Sequence, residues 1–261
     1  MRLEVDGIEI FAGTGGRPFD PGKPVTVFLH GAGFDHTAFA LQSRWFAHHG
    51  WSVLAPDLPG HGRSSGAPLA SVVAIADWTA ALIAAAGANE ARLIGHSMGA
   101  LVALAAAARH PDKVTGLCLI TAGAAMPVSA ELLDAAKSGK HSAVDMMVLW
   151  GLGPRAALGG SPIPGLSMLG GAERVLEQAR PGVLFADISA CNDYREGEAH
   201  AGKVAAPTLV VLGELDMMIP QKAGKVLAAA IRGARLVVIS GAGHLPMTEK
   251  PDELIAALSS S

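Results

Sequence analysis

The sequence predicts an α/β protein in which a mostly parallel central sheet has helices on both faces and a helical cap insertion. Six nearly continuous apolar runs are typical of strands buried on both faces, and helical stretches separate them. Such alternation of strand and helix with short connections indicates a parallel sheet covered on both sides. The alternation stops once, between residues 124 and 202, which indicates an inserted segment.

The predicted strands begin with a hairpin and continue as the six apolar runs. Residues 3–10 alternate apolar and polar side chains around Asp6-Gly7, which is a hairpin signal. The later runs cover residues 25–31, 51–57, 91–97, 114–122, 207–216 and 234–244.

Five helical stretches lie between or after these runs. Glycine follows three of them, at Gly50, Gly87 and Gly233, and glycine adopts the left-handed conformation that ends many helices. The predicted helices cover residues 37–49, 69–86, 98–109, 221–231 and 252–258.

Residues 124–202 contain no buried-strand run, so we expect a core domain of residues 1–123 and 203–261 with a helical cap of residues 124–202. Short helical pieces flank the stretch GGSPIPGLSMLGG at residues 159–171. Its glycines loosen the backbone and its prolines oppose regular helix, so we expect a mobile cap. Because it lies between the sixth and seventh core strands, we expect it to determine substrate choice rather than chemistry.

Composition excludes several classes of function. Hydrophobic residues make up 50% and charged residues 16% of the chain, so a large core can form. A net charge of −3 without a basic run provides no surface for nucleic acid. The longest apolar helix is too short to span a membrane, and carboxylates in residues 1–10 argue against a signal peptide. We therefore expect a cytoplasmic protein, whether monomer or dimer.

No metal or organic cofactor is expected. The ten histidines are scattered rather than spaced as metal ligands. The glycines of HGAG cannot begin a dinucleotide-binding loop, because the third glycine of that motif would fall at His36. No Gly-Lys pair precedes serine or threonine, so the phosphate-binding loop is missing as well. Cys118 and Cys191 form no recognisable framework, although a disulfide is left open.

The stretch Gly-His-Ser-Met-Gly at residues 95–99 joins a predicted strand to a predicted helix. A sharp turn at this point requires a strained backbone at Ser97 and leaves no room for side chains at the two glycines. Such a turn exposes the Ser97 hydroxyl at the helix N-terminus, where a nucleophile is needed. A small-residue turn with a serine N-cap is the alternative interpretation.

Candidate partners for the serine follow other strands, because reactive groups gather at the carboxyl ends of parallel strands. His244 is the only histidine directly after a late core strand, and we expect it to act as the base. Asp216 ends the seventh strand and is the expected orienting acid, ahead of Glu214. We expect Asp57 to support a glycine loop, and His96 to point to the opposite side of the turn from the serine.

The order Ser97, Asp216, His244 resembles that of the α/β-hydrolase superfamily. Five segments occur in the family's order: HGAG, DLPGHGRS, GHSMG, GELDMMIP and GAGHLPMTEKP. The resemblance implies the α/β-hydrolase fold and a Ser-His-Asp triad. It also implies an oxyanion hole of backbone N–H groups from Met98 and Ala32, with Gly33 as the alternative to Ala32.

The substrate is expected to be a small, mostly apolar carboxylic ester, cleaved through an acyl-enzyme by a serine carboxylesterase. Methionines near the site indicate a pliable apolar pocket, although ordinary core packing explains them equally well. The pocket candidates are Met126, Met147, Trp150, Met217 and Leu245.

Several alternatives stay open on the same residues. A lactonase, a perhydrolase or a hydrolase of carbon–carbon bonds would use the same triad, and a small-molecule receptor would use the fold without catalysis. No cation is placed by a motif to bind an anionic substrate. Four arginines of the predicted cap are left open for that role: Arg155, Arg174, Arg180 and Arg195.

Overall fold

An eight-stranded sheet forms the centre of the protein. The computed structural model describes residues 1–161, 165 and 167–260. The strands lie in the order β1-β2-β4-β3-β5-β6-β7-β8; β1 with β2 and β2 with β4 are antiparallel, and the other neighbours are parallel. They are β1 (Arg2–Val5), β2 (Ile8–Gly13), β3 (Val25–Leu29), β4 (Ser52–Pro56), β5 (Ala91–His96), β6 (Val114–Ile120), β7 (Thr208–Gly213) and β8 (Arg235–Ile239). The predicted mostly parallel α/β architecture is confirmed.

Helices cover the sheet, with α1 packed on α12 and α2 packed on α3. The described residues form α1 (Ala40–His48), α2 (Val72–Ala85), α3 (Met98–Arg109), α4 (Ala130–Lys137), α5 (Ser142–Gly151), α6 (Pro154–Ala157), α7 (Met168–Gln178), α8 (Val183–Asp193), α9 (Gly197–Ala201), α10 (Gln221–Ala230), α11 (Pro246–Glu249) and α12 (Pro251–Ser259). None of these helices is both long and apolar enough to cross a bilayer.

The apolar sequence pattern of the strands follows from how deeply each strand is buried. All residues of β3, β4, β5 and β7 are buried, which explains their nearly continuous apolar sequence. Edge strand β8 is different, since only its last residue is buried. The predicted N-terminal hairpin is present, and its two turn residues, Asp6 and Gly7, have φ values of 50° and 76°. Positive φ at both positions is the requirement of a type I′ turn, which Asp-Gly satisfies.

Helix ends differ from the predictions where side chains cap them. Helix α2 begins at Val72 instead of residue 69, because the Ser71 side chain accepts a hydrogen bond from the Ala74 N–H. The predicted helix 37–49 begins as a 3₁₀ turn, His36–Phe39, capped by Asp35. Helix α3 has the predicted bounds.

The segment between β6 and β7 contains α4 to α9. Helices α5 and α7 pack on each other, as do α4 and α8, whereas α9 packs on the core helices α3 and α10. The expectation of irregular backbone through residues 159–171 is wrong for Met168–Gly171, which begin α7 behind the Ser167 N-cap. Residues 162–164 and 166 of that stretch lie outside the described part of the chain. The proposed domain boundaries stay a prediction.

Candidate active site

Ser97 lies at the turn between β5 and α3, with φ 52° and ψ −116°. The turn requires the glycines on either side. A Cβ at Gly95 would lie 2.1 Å from the Gly99 carbonyl oxygen, and one at Gly99 would lie 2.1 Å from the Leu29 carbonyl oxygen. The serine is therefore in a strained conformation at the positive end of a helix dipole, as a nucleophile requires.

His244 and Asp216 are in direct contact, with 2.9 Å between His244 Nδ1 and Asp216 Oδ2. The other carboxylate oxygen of Asp216 accepts hydrogen bonds from the N–H groups of Met218 and Ile219, each at 2.9 Å. Both side chains are buried, with exposed fractions of 4% for His244 and 2% for Asp216. A carboxylate at Nδ1 keeps that nitrogen protonated, which leaves the Nε2 lone pair of His244 free to accept a proton.

The backbone of His244 is held on both sides. Its N–H donates to the Gly151 carbonyl oxygen at 2.9 Å, and its own carbonyl accepts from His96 Nε2 at 2.8 Å. Glu249 supports the same loop, since its buried carboxylate accepts from the N–H groups of Gly153 and Gly243. Burial raises the pKa of Glu249, although these hydrogen bonds oppose the shift. The inserted helices are thereby attached to the histidine loop.

The expected orientation of His96 is wrong. Its ring lies 4.9 Å from the His244 ring, between centroids, and it lines a cavity together with Ser97. Burial and the neighbouring His244 hold the pKa of His96 well below its usual range, so the ring is neutral. Its role is structural as expected, but it supports the histidine loop directly, because β5 and the loop after β8 end at the same edge of the sheet.

The two candidates for the first oxyanion donor differ in what their N–H groups bind. The Gly33 N–H donates to Asp187 Oδ2 at 2.8 Å and is therefore engaged elsewhere. Within the described part of the chain, the N–H groups of Ala32 and Met98 have no acceptor. Ala32 also lines the same cavities as Ser97, so the geometry favours Ala32 over Gly33.

Two apolar cavities meet at Ser97 and His244, one of about 230 Å³ and one of about 10 Å³. The wide cavity is lined by four of the predicted pocket residues, Met126, Met147, Trp150 and Met217; the fifth, Leu245, lines the narrow one. Sequence reasoning missed further lining residues, which lie in helices of the inserted segment except for Phe34, in the loop after β3. They are Leu132, Ile188 and Cys191 in the wide cavity, and Phe34, Ala172 and Leu176 in the narrow one.

A family model described as the alpha/beta hydrolase family matches residues 26–257. The chain belongs to the alpha/beta hydrolase family. It is 33% identical over 221 residues to a pimeloyl-[acyl-carrier protein] methyl ester esterase of Neisseria meningitidis serogroup B, covering 79% of this chain and 80% of the relative.

Two solved structures are similar to this chain over its whole length. A thermophilic esterase is 29% identical with a TM-score of 0.82, over 100% of this chain and 95% of that one. The enol-lactonase from Burkholderia xenovorans LB400 superposes with a TM-score of 0.88 at 24% identity, over 100% of this chain and 98% of that one, and supports the fold alone.

The four arginines left open for anion binding in this alpha/beta hydrolase lie outside both cavities at Ser97, as far as the described residues show. Arg174 pairs with Glu177 at 3.0 Å, and Arg180 donates to the carbonyl oxygens of Gly62 and Ser64. The other two are also placed elsewhere: Arg195 donates to the Asn192 carbonyl, and Arg155 lines a separate pocket beside Lys250. The described walls at Ser97 are thus mainly apolar.

Asp57 has the structural position expected of it. Its carboxylate accepts from the His36 N–H, from His36 Nδ1 at 2.6 Å, and from the Arg63 N–H at 2.8 Å. Burial alone would raise the pKa of Asp57, but these hydrogen bonds outweigh it and hold the pKa low. Asp35, His36 and Asp57 place possible metal-ligating atoms within 4.8 Å of one another, but Asp57 is already engaged and the group does not line the cavities at Ser97.

Proposed function

We propose that this alpha/beta hydrolase cleaves carboxylic esters through an acyl-enzyme on Ser97. The observation that supports it is the buried Asp216–His244 contact at cavities that His244 shares with Ser97. His244 Nε2 accepts the Ser97 proton as the serine oxygen attacks the ester carbonyl. The N–H groups of Ala32 and Met98 stabilise the oxyanion. The alcohol then leaves with the proton from His244, and water activated by the same base releases the acid.

The cavity dimensions support an apolar acyl group of modest size and a small alcohol. Ligand pockets commonly enclose roughly 300–1,000 Å³, and the wide cavity at Ser97 is smaller, at about 230 Å³. The narrow cavity, at about 10 Å³, admits little more than a methyl group. The named substrate of the Neisseria relative is also a methyl ester. We therefore assign the acyl group to the wide cavity and the alcohol to the narrow one.

A carrier-bound methyl ester is the second candidate, favoured by the name of that relative. A carrier-bound substrate needs a surface beside the cavities on which the carrier protein docks, and no cation of residues 124–202 lines either cavity among the described residues. Residues 124–202 carry nine acidic and six basic residues. Three of their four arginines donate to partners within the chain. We therefore place a free ester of the cytoplasm first, hydrolysed without metal or organic cofactor.

Turnover of p-nitrophenyl butyrate by the purified protein and by Ser97→Ala tests the mechanism. We expect the variant to lose activity, and a fluorophosphonate to add a single covalent mass at Ser97. Labelling at another residue, or turnover that survives in Ser97→Ala, contradicts the assignment. Rates on methyl butyrate, butyrolactone, a methyl thioester and a carrier-bound methyl ester then distinguish the substrate classes.

A further inference from the structure

Asp187 is a buried carboxylate of α8 that contacts the loop bearing Ala32, although α8 belongs to the inserted segment. Its Oδ2 accepts from the Gly33 N–H at 2.8 Å and lies 2.8 Å from His61 Nε2. The Asp187 side chain is only 1% exposed, and that of His61 only 3%. A buried carboxylate needs such partners, because removing a charge from water is costly unless it is paired and hydrogen-bonded.

Both ring nitrogens of His61 face oxygen atoms. Nδ1 lies 3.0 Å from the Pro59 carbonyl oxygen, and Nε2 lies 2.8 Å from the Asp187 carboxylate. A neutral imidazole carries one N–H and would direct a lone pair at one of these oxygens, whereas the imidazolium donates to both. The contacts therefore favour a doubly protonated His61 and a buried ion pair between the core and α8.

Two carboxylates near His61 favour its protonated form, and one neighbouring histidine opposes it. Burial lowers the pKa of His61, but the carboxylates of Asp187 and Asp57 outweigh that effect and the pKa is raised. His30, whose ring centroid lies 5.0 Å away, opposes protonation of His61 when it is itself charged. However, burial lowers the pKa of His30 to about 4, so His30 is neutral. Arg180 reaches the adjacent loop, where it donates to the Gly62 carbonyl oxygen.

The Gly33 N–H that Asp187 binds belongs to the central peptide of a tight turn. The Phe34 N–H donates to the Gly31 carbonyl oxygen at 3.2 Å, and Gly33 has φ +72°. Positive φ at the third residue is the mark of a type II turn, which differs from type I by a flip of the central peptide between Ala32 and Gly33. Asp187 holds that peptide with its N–H towards α8, one residue after the Ala32 N–H.

The inserted helices also pack on this turn. A Cβ at Gly33 would lie 2.8 Å from Leu176 Cδ2 and 3.0 Å from Leu184 Cδ1. The leucine side chains of α7 and α8 therefore pack against the turn, at a position where φ +72° already favours glycine. This contact joins the inserted segment to the candidate oxyanion site, separately from its contribution to the wide cavity.

We propose that Asp187, paired with His61, is a positioning residue that orders the Gly31–Phe34 turn and so presents the Ala32 N–H to the developing oxyanion. The inference rests on the proposed function, and it gives the inserted segment a part in the chemistry besides substrate choice. Preorganised donors are effective because they need no rearrangement in the transition state. The central peptide is bonded to the Cα of Ala32, so a turn in which that peptide is free to rotate no longer holds the Ala32 backbone, and with it the Ala32 N–H, in one position.

The test compares Asp187→Ala with Asp193→Ala, the same change at an exposed residue of the same helix. Alanine removes the acceptor of the Gly33 N–H and of His61, whereas an asparagine oxygen in the place of Oδ2 would keep both contacts. Both variants are assayed with p-nitrophenyl butyrate, at a temperature where circular dichroism shows them folded. In Asp187→Ala we expect kcat to fall about 10- to 100-fold, less than the loss of a whole oxyanion donor, while KM changes less than about threefold. The Ki of butylboronic acid, whose serine adduct places an oxygen in the oxyanion hole, should rise with the loss of kcat/KM. Asp193→Ala should match the wild type.

A second variant, His61→Gln, keeps a donor for Asp187 but cannot titrate. In the wild type kcat should fall at alkaline pH as His61 loses its proton, and in His61→Gln that alkaline decline should be absent. A decline that persists in His61→Gln refutes the ion pair as its cause.

The outcomes separate the two proposals. A folded Asp187→Ala with wild-type kcat and Ki, or one whose loss lies wholly in KM, overturns the positioning role in an active enzyme. A wild type that neither hydrolyses the ester nor reacts with the fluorophosphonate overturns the proposed function, and this inference with it.

Discussion

Replacing Asp216 by asparagine should abolish most of the activity while leaving the fold in place. The new amide oxygen can still accept from the Met218 and Ile219 N–H groups, both 2.9 Å from the native Oδ1. The amide NH₂ then takes the place of Oδ2, 2.9 Å from His244 Nδ1. A donor there requires a lone pair on Nδ1, so the proton moves to Nε2 and His244 can no longer accept the proton of Ser97. In a well-studied triad the same change lowers kcat roughly 10⁴-fold, about 5 kcal/mol in activation free energy.

Asp57→Asn is the matched comparison, because Asp57 also contacts a histidine, His36, at 2.6 Å. Its carboxylate accepts from three N–H donors, and an amide can accept with only one oxygen, so the Arg63 or His36 contact is lost. We expect a loss of about 1–3 kcal/mol in the free energy of unfolding, with kcat nearly unchanged. Urea denaturation and steady-state kinetics on p-nitrophenyl butyrate measure both. If Asp57→Asn loses the activity and Asp216→Asn keeps it, the two roles are exchanged.

Three other predictions concern the pocket, the cofactor requirement and the buried ion pair. Met147→Ala and Trp150→Ala should shift kcat/KM between short and long acyl esters by about 1–3 kcal/mol per lost apolar contact, with a much smaller change in fluorophosphonate labelling; an equal fall for all esters argues against a role in selectivity. Treatment with EDTA should leave esterase activity unchanged, and activity that is lost and then restored by zinc or manganese contradicts a metal-free mechanism. Because the folded-state pKa of His61 is raised, the ion pair stabilises the fold fully below the unfolded pKa of about 6.5 and less as pH rises through the folded value. The gap in unfolding free energy between the wild type and Asp187→Ala, about 3–5 kcal/mol for a broken buried pair, should therefore shrink from pH 6 to pH 9 in urea titrations; a gap that widens refutes the assignment.

The architecture and the serine turn were predictable because their signals are local. Burial on both faces makes β3, β4, β5 and β7 continuously apolar, and that texture needs no knowledge of which strands pair. The turn at Ser97 requires Gly95 and Gly99 within two residues of the serine, so a short segment of sequence contains the whole constraint. Asp216 and His244 were found from their places after strands, which the sheet brings to one edge.

Other features depend on how distant elements pack, and the sequence carries no separate sign of them. The sequence left Ala32 and Gly33 open as donors, and the structure favours Ala32 because Asp187, 154 residues from Gly33, engages the Gly33 N–H. In the sequence, Asp187 is one of nine acidic residues between 124 and 202. Only its burial against His61, 126 residues away, makes it different. Strand and helix patterns arise from neighbours a few residues apart, whereas the partner of a buried carboxylate is determined by which helix faces which loop after folding.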